Sequence, residues 1–208
     1  MDKPLQVFTL AVTGASGSVL AFEMLRALAA DERVGRVHLI ISPGALRVLA
    51  EETGTNGRKS LIEKMLGPAT PGRNQTKITQ HAHEDIGAPI ASGSYPCDAM
   101  IVLPCSMGTL AGIAHGMAGN LVERAADVCL KEKRRLVLCV RETPLNLIHI
   151  RNMAAAAEAG ATIFPVIPAF YNQPKTTEDM ARNLVHRVLQ HVGLPQPNAF
   201  IWGATSQP

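Results

Sequence analysis

The chemistry this sequence offers rests on three cations and two loops of small residues. Lys131, Arg141 and Arg187 form a candidate anion clamp, and Arg124 lies seven residues before Lys131. That spacing is two helical turns on one face. Arg141 directly follows the apolar run 136–140, where a charged group needs a partner or a ligand. Its neighbour Glu142 is one candidate partner. Gly14-Ala15-Ser16-Gly17 joins an apolar run to a helical pattern. Small residues there let backbone approach a ligand, and the first N–H groups of the helix favour an anion such as phosphate. The tetrapeptide lacks the GxGxxG spacing of a dinucleotide fingerprint. Ser106-Met107-Gly108-Thr109 opens a second helix, and its N–H groups and two hydroxyls suit a phosphate or the polar edge of a heterocycle. Alternatively it is only an N-capped helix. Ser92-Gly93-Ser94 is a polar turn of the same kind.

Metal chemistry is not indicated. His81 and His83 are two apart with no third ligand at useful spacing, and neither HExxH nor a paired-Asp motif occurs. A departing phosphate would be neutralised by Lys and Arg.

The elements that must position these residues alternate. Apolar runs at 5–12, 37–41, 100–103, 136–140 and 162–165 read as strands. Periodic segments at 19–30, 45–52, 110–114, 121–131, 146–159 and 177–191 read as helices. The pattern predicts an α/β, Rossmann-like three-layer fold with a mainly parallel sheet. The least patterned stretch is 55–90, with a short helix expected at 60–66 and an edge strand at 77–79. One domain is expected over 1–208, with 193–208 a tail packed on the surface. In such sheets ligands bind beyond the carboxyl ends of the strands. Gly14 to Gly17, Ser42, Pro104 to Thr109, Arg141-Glu142 and Pro168 to Tyr171 all fall there, which points to one composite site.

Composition narrows the class. The 208 residues are 47% hydrophobic and 18% charged, so a sizeable core is expected and disorder is not. A net charge of +3 gives no case for nucleic acid. The one dense basic run, Lys131 to Arg135, reads as a solvated helix end. Cys97, Cys105, Cys129 and Cys139 have apolar flanks and no CxxC, so they read as reduced, mostly buried thiols. With no signal-peptide pattern and no apolar stretch near ~20 residues, a cytoplasmic chain without a membrane span is expected.

Several of these motifs occur together in one known family. Ala91-Ser92-Gly93-Ser94, Pro104-Cys105-Ser106, Asn120-Leu121, Arg124-Ala125-Ala126-Asp127-Val128, Leu130-Lys131-Glu132, Arg141-Glu142-Thr143-Pro144-Leu145 and Pro168-Ala169-Phe170-Tyr171 follow in order. The chain resembles the flavin prenyltransferases of the UbiX type, formerly labelled aromatic-acid decarboxylases, from Gly14 to about Trp202. That resemblance implies a homo-oligomeric flavoprotein, a dodecamer built from trimers. It implies an enzyme that takes reduced FMN and dimethylallyl monophosphate, joins the dimethylallyl group to flavin N5 and C6, and releases phosphate. The prenylated FMN would pass to a UbiD-type decarboxylase. By position, Gly14, Ala15, Ser16, Ser42, Ser106, Met107, Gly108, Thr109 and Arg124 match FMN-binding residues. Ser92, Lys131, Arg141, Tyr171 and Arg187 match residues around the prenyl phosphate. Glu142 matches the acidic residue beside the reacting centre, Glu52 a further acid near the phosphate, and Trp202 a tail tryptophan. Ile86 stands about where some members carry a tryptophan that walls the prenyl group. The final base is either Glu142 or the released phosphate. Two other readings stay open: an FMN-dependent cysteine decarboxylase of the phosphopantothenoylcysteine type, and a carrier that binds FMN without chemistry.

Overall fold

The computed structural model describes residues 4–54, 61–67 and 74–203. Six strands form one sheet: β1 (Gln6–Val12), β2 (Val34–Ile41), β3 (Ile78–His81), β4 (Ala99–Cys105), β5 (Arg135–Val140) and β6 (Thr162–Ile163). Their spatial order is β3-β2-β1-β4-β5-β6, and every pair is parallel. Parallel strands buried on both faces need apolar side chains in both directions, hence runs such as Leu10 to Val12 and Ala99 to Leu103, all buried.

Alternation along each strand divides the core between the two faces. Phe8, Leu10 and Val12 point to the face covered by α1 (Ser18–Ala30), α2 (Pro43–Thr53), α3 (Leu61–Leu66) and α7 (Thr177–His191). Ala11, Met100 and Val102 point to the face covered by α4 (Met107–Ala114), α5 (Leu121–Lys131) and α6 (Leu147–Glu158). This doubly wound arrangement reverses direction between β1 and β4. A crevice therefore opens beyond their carboxyl ends.

Local chemistry sets the ends of the elements. Ser42, Ser106, Asn120, Asn146 and Thr176 cap α2, α4, α5, α6 and α7, each accepting from a backbone N–H in the first turn. The expected short helix is found as Leu61–Leu66, with residue 60 outside the described residues. The expected edge strand is Ile78–His81. β6 ends at Ile163 instead of continuing to 165. Phe164 and Val166 still donate to Leu138 and Val140, but Pro165 has no N–H to offer.

Among the described residues, no helix is long and apolar enough to cross a membrane. All four cysteines are free; Cys105, Cys129 and Cys139 are buried and Cys97 partly so. Burial pushes the Cys105 thiol up to about 12. The tail runs back over the α1–β2 turn, where Arg33 donates to the Pro195 carbonyl (2.8 Å) and Gln196 to Asp31 (3.0 Å).

The start of α6 is apolar and uncovered. Leu147 is 58% exposed and Ile148 65%, and Leu145 and Ile150 lie beside them in sequence and are exposed too. Scattered apolar residues are ordinary on a surface, but four within six positions mark a contact face.

A buried polar chain crosses the second face of the sheet. His38 on β2, 1% exposed, bonds through Nδ1 to Nε2 of His81 on β3 (2.8 Å) and through Nε2 to the Tyr95 hydroxyl (3.0 Å). Burial, then repulsion from His81 and Arg36, pulls the His38 pKa from 6.5 down to about 4. Burial lowers His81 as well, with Asp85 acting in the opposite direction. The unfolded chain thus binds protons near pH 6.5 that the folded chain refuses until about pH 4. Stability from these groups is complete above that window and is lost as pH falls through it. The thermal midpoint is expected to drop as pH falls from 7 towards 4.5, with a shallower slope in His38→Gln. An equal slope in the variant would refute the assignment.

Candidate active site

Three loops converge at the crevice between β1 and β4. Thr13, 2% exposed, joins two of them. Its hydroxyl donates to the Pro104 carbonyl (2.9 Å) and accepts from the Ser106 N–H (2.8 Å). This tie sets the loop Gly14 to Gly17 beside the start of α4. The third loop follows β2. The Ser42 N–H donates to the Val12 carbonyl (3.0 Å), and its hydroxyl accepts from Ala45 (3.1 Å). Gly14 and Gly44 pack backbone to backbone, and a β-carbon on Gly14 would lie 3.3 Å from Gly44. A larger residue would push the two loops apart.

The helix starts differ in what they leave free. At α1, Glu52 reaches back from the end of α2. It accepts from the Gly17 N–H (3.0 Å) and the Ser18 N–H (2.7 Å). The anion expected there from sequence is already supplied by the protein. Burial raises the Glu52 carboxyl, but hydrogen bonds from the Ser16 and Ser18 hydroxyls and from the two N–H groups outweigh this and hold it below its ordinary 4.5. Glu52 is thus a remote cap for a helix whose own N-cap, Gly17 at φ 124°, has no side chain to offer.

At α4 the Ser106 hydroxyl accepts from Thr109 N–H (3.4 Å) and pairs with the Thr109 hydroxyl (3.1 Å). Met107 and Gly108 occupy the first two helical positions, whose N–H groups have no intrahelical partner. A β-carbon on Gly108 would meet nothing within 4 Å, so the approach to those N–H groups is open. Open donors at a helix start, two hydroxyls and a glycine-lined crevice at the switch point fit the phosphate and polar ring edge of FMN.

The remaining candidates form two further groups. Arg124 donates from Nε to the Ala91 carbonyl (3.0 Å) and from Nη1 to Asp127 (2.7 Å). It thereby fixes the approach to the Ser92 turn, where the Ser92 and Ser94 hydroxyls bond at 2.9 Å. Lys131, exposed at the end of α5, is ion-paired with Glu132, and both lie against Gly93. Ser92, Arg124 and Lys131 are therefore gathered along one side of α5. In the second group, Tyr171 and Arg187 line one cleft of ≈ 230 Å³ with Asn172 and Phe200. Tyr171 meets Trp202 edge-on with ring centres 5.1 Å apart, and Phe200 at 5.2 Å. The tail tryptophan thus stands at this cleft.

Arg141 stands at the end of β5, exposed, with its N–H on the Cys105 carbonyl (3.2 Å) beside the first crevice. The Arg141–Glu142 pair weighed from sequence is absent among the described residues. Glu142 instead accepts from the Thr143 N–H (2.9 Å). That leaves the guanidinium available. Lys131 lies against the Ser92 turn, Arg187 lines the Tyr171 cleft and Arg141 stands at the end of β5, so the three cations expected to form one clamp fall in separate groups. Ile86 is exposed.

The basic run is not simply a solvated helix end. Lys131 closes α5, Lys133 turns at φ 54°, and Arg134 folds inward to bond the carbonyls of Tyr95 (2.9 Å) and Gly93 (2.5 Å). Arg135 begins β5 and donates to the Val192 carbonyl (3.1 Å). Thr13, Arg134 and the remote capping by Glu52 were not legible in the sequence, because each acts through a partner far along the chain.

Comparison with known proteins agrees with this geometry. The family model described as Flavoprotein matches residues 1–192. The chain is 42% identical over 200 residues to a protein named flavin prenyltransferase UbiX from Alkalihalophilus pseudofirmus, covering 95% of this chain and 96% of that one. It superimposes with a TM-score of 0.82 on AnUbiX (PadA1), solved in complex with FMN and dimethylallyl pyrophosphate. The identity is 38%, over 95% of this chain and 97% of that one. A dodecameric FMN-dependent UbiX-like decarboxylase from Escherichia coli O157:H7 gives the same TM-score, 0.82, at 40% identity over 95% and 99% of the two chains.

Proposed function

The chain belongs to the Flavoprotein family, among its flavin prenyltransferases of the UbiX type, and from that membership we propose that it transfers a dimethylallyl group from dimethylallyl monophosphate to reduced FMN. The observation that carries this reading is the pairing of an open crevice at the switch point with separate cationic groups around it. One anion-binding place would serve the flavin phosphate, and a second would serve the phosphate that leaves.

In this reading Gly14, Ala15, Ser16, Ser42, Ser106, Met107, Gly108, Thr109 and Arg124 hold FMN, which supplies the electron-rich ring that accepts the allyl group. The allylic C–O bond breaks with its electron pair leaving on phosphate. Lys131, Arg141 and Arg187 neutralise that charge, and Ser92 and Tyr171 donate hydrogen bonds to it. Either Glu142 or the released phosphate accepts the proton lost from the ring. Glu52 organises the first loop from its position at the end of α2.

The chain also acts as a homo-oligomer, a dodecamer in its relative's form. The apolar start of α6 gives a second copy a surface to cover, directly after Arg141 and Glu142 in the chain. Ile148→Asp is expected to dissociate the assembly, with sedimentation as the measurement; an unchanged assembly would remove α6 from the interface. The recipient of prenylated FMN is read as a UbiD-type decarboxylase.

Incubation with reduced FMN and dimethylallyl monophosphate is expected to yield the mass of prenylated FMN and free phosphate. FMN bound but unmodified, without phosphate release, would favour a carrier and reject this reading. A cysteine decarboxylase would need a histidine in the site, and none occurs in the loops after β1, β4 or β5.

A further inference from the structure

The turn Ser92-Gly93-Ser94 is exposed and polar, yet it is held from several sides. Arg134 donates to the carbonyls on either side of Ser94, at Gly93 (2.5 Å) and Tyr95 (2.9 Å). The Tyr95 hydroxyl is anchored to Nε2 of His38 at 3.0 Å, and His38 is locked in turn by His81 at 2.8 Å. A β-carbon on Gly93 would meet the side-chain ends of Lys131 and Glu132, so the turn lies directly against them.

A surface turn with no positional task needs none of this. Burying an imidazole inside a parallel sheet is unfavourable unless both ring nitrogens are satisfied. Here both are, and the chain runs from His81 on the edge strand β3 to the phenol of Tyr95, which leads to the Ser92 turn. Arg134 acts on the same few residues from the α5 side. Its two bonds fix the carbonyls of Gly93 and Tyr95. The combined effect is one fixed distance, that between the Ser92 turn and the end of α5.

We propose that His38, Tyr95 and Arg134 are positioning residues that keep the Ser92 turn in register with Lys131, so that a hydroxyl and an ammonium meet the same phosphate. This rests on the reading of Ser92 and Lys131 given above. The three positioning residues act through the turn and do not touch the prenyl donor.

Tyr95→Phe keeps the ring and removes only the bond to His38. Arg134→Gln removes the charge and one arm of the clamp. The assay is steady-state turnover of dimethylallyl monophosphate at saturating reduced FMN, well below the melting temperature. Each variant is expected to lose about ten- to a hundredfold in kcat/KM, the scale at which misplaced groups act. FMN affinity should stay within about twofold of the parent. Some loss of thermal midpoint follows from the unpartnered His38 whatever the role of the turn, so coupling decides. In a Lys131→Ala background, Tyr95→Phe is expected to cost less than about threefold more, because the group it aligns is gone. Parent-like kcat/KM in both single variants overturns the proposal, as does an undiminished penalty in the Lys131→Ala background. Lys131→Ala tested alone separates the two levels. If it turns over donor normally, the reading of Lys131 fails and the proposal falls with it. If it is slow while Tyr95→Phe and Arg134→Gln are not, only the proposal fails.

Discussion

Lys131→Ala is expected to bind FMN normally and to slow prenyl transfer by about two to three orders of magnitude, the usual loss when one donor to a developing anion is removed. Lys131 is the final residue of α5 and stands in its last turn. Its partner Glu132 is exposed, so the ion pair is weak and is readily exchanged for a doubly charged phosphate. Arg141→Ala should behave alike, since that guanidinium has no competing partner among the described residues. Flavin absorbance on titration measures the first property, and phosphate release in a single turnover the second. Near-parental single-turnover rates in both variants would contradict the roles assigned to them.

The second large effect concerns stability. Thr13→Val keeps the shape of the side chain and removes its hydroxyl, leaving the Ser106 N–H without its partner, while the Pro104 carbonyl keeps the Thr13 N–H (3.2 Å). One such group costs about 1–3 kcal/mol. At fixed protein concentration this lowers the thermal midpoint by roughly 2–12 °C for a chain of this length. Thr13→Ser should recover most of the loss. FMN affinity should fall together with stability in Thr13→Val, because the tie also holds the end of β1 to the start of α4. A midpoint within a degree of the parent would show that the loops are held by something else.

Periodicity and capping made most of the fold legible. α5 and α7 begin where expected because Asn120 and Thr176 are readable caps. β2 begins at Val34 instead of 37, because Gly35 and Arg36 interrupt the apolar run while β1 still pairs with Val34 and Arg36. α2 and α4 begin earlier than their apolar patterns, at Pro43 and Met107, since Ser42 and Ser106 start them. In the site, residue type and position at strand ends revealed the small-residue loops and the cations. Partner choice stayed hidden. Glu52 capping α1, His38 reaching both His81 and Tyr95, and Arg134 turning back on Gly93 all join residues dozens of positions apart, and no local pattern encodes which acceptor a long side chain will find.

The sheet order has a consequence for biosynthesis. β1 is the first strand made and lies in the interior of the sheet, where Phe8 pairs with Ala99 and Ala11 with Val102. Pairings so distant in sequence form late, after a long loop has been closed. A nascent chain leaving the ribosome therefore carries β1 with one bare edge until β4 emerges. During that interval its exposed backbone is open to association with other strands. The flavin crevice has only one wall over the same period, so the cofactor is acquired by the completed chain and cannot template its early folding.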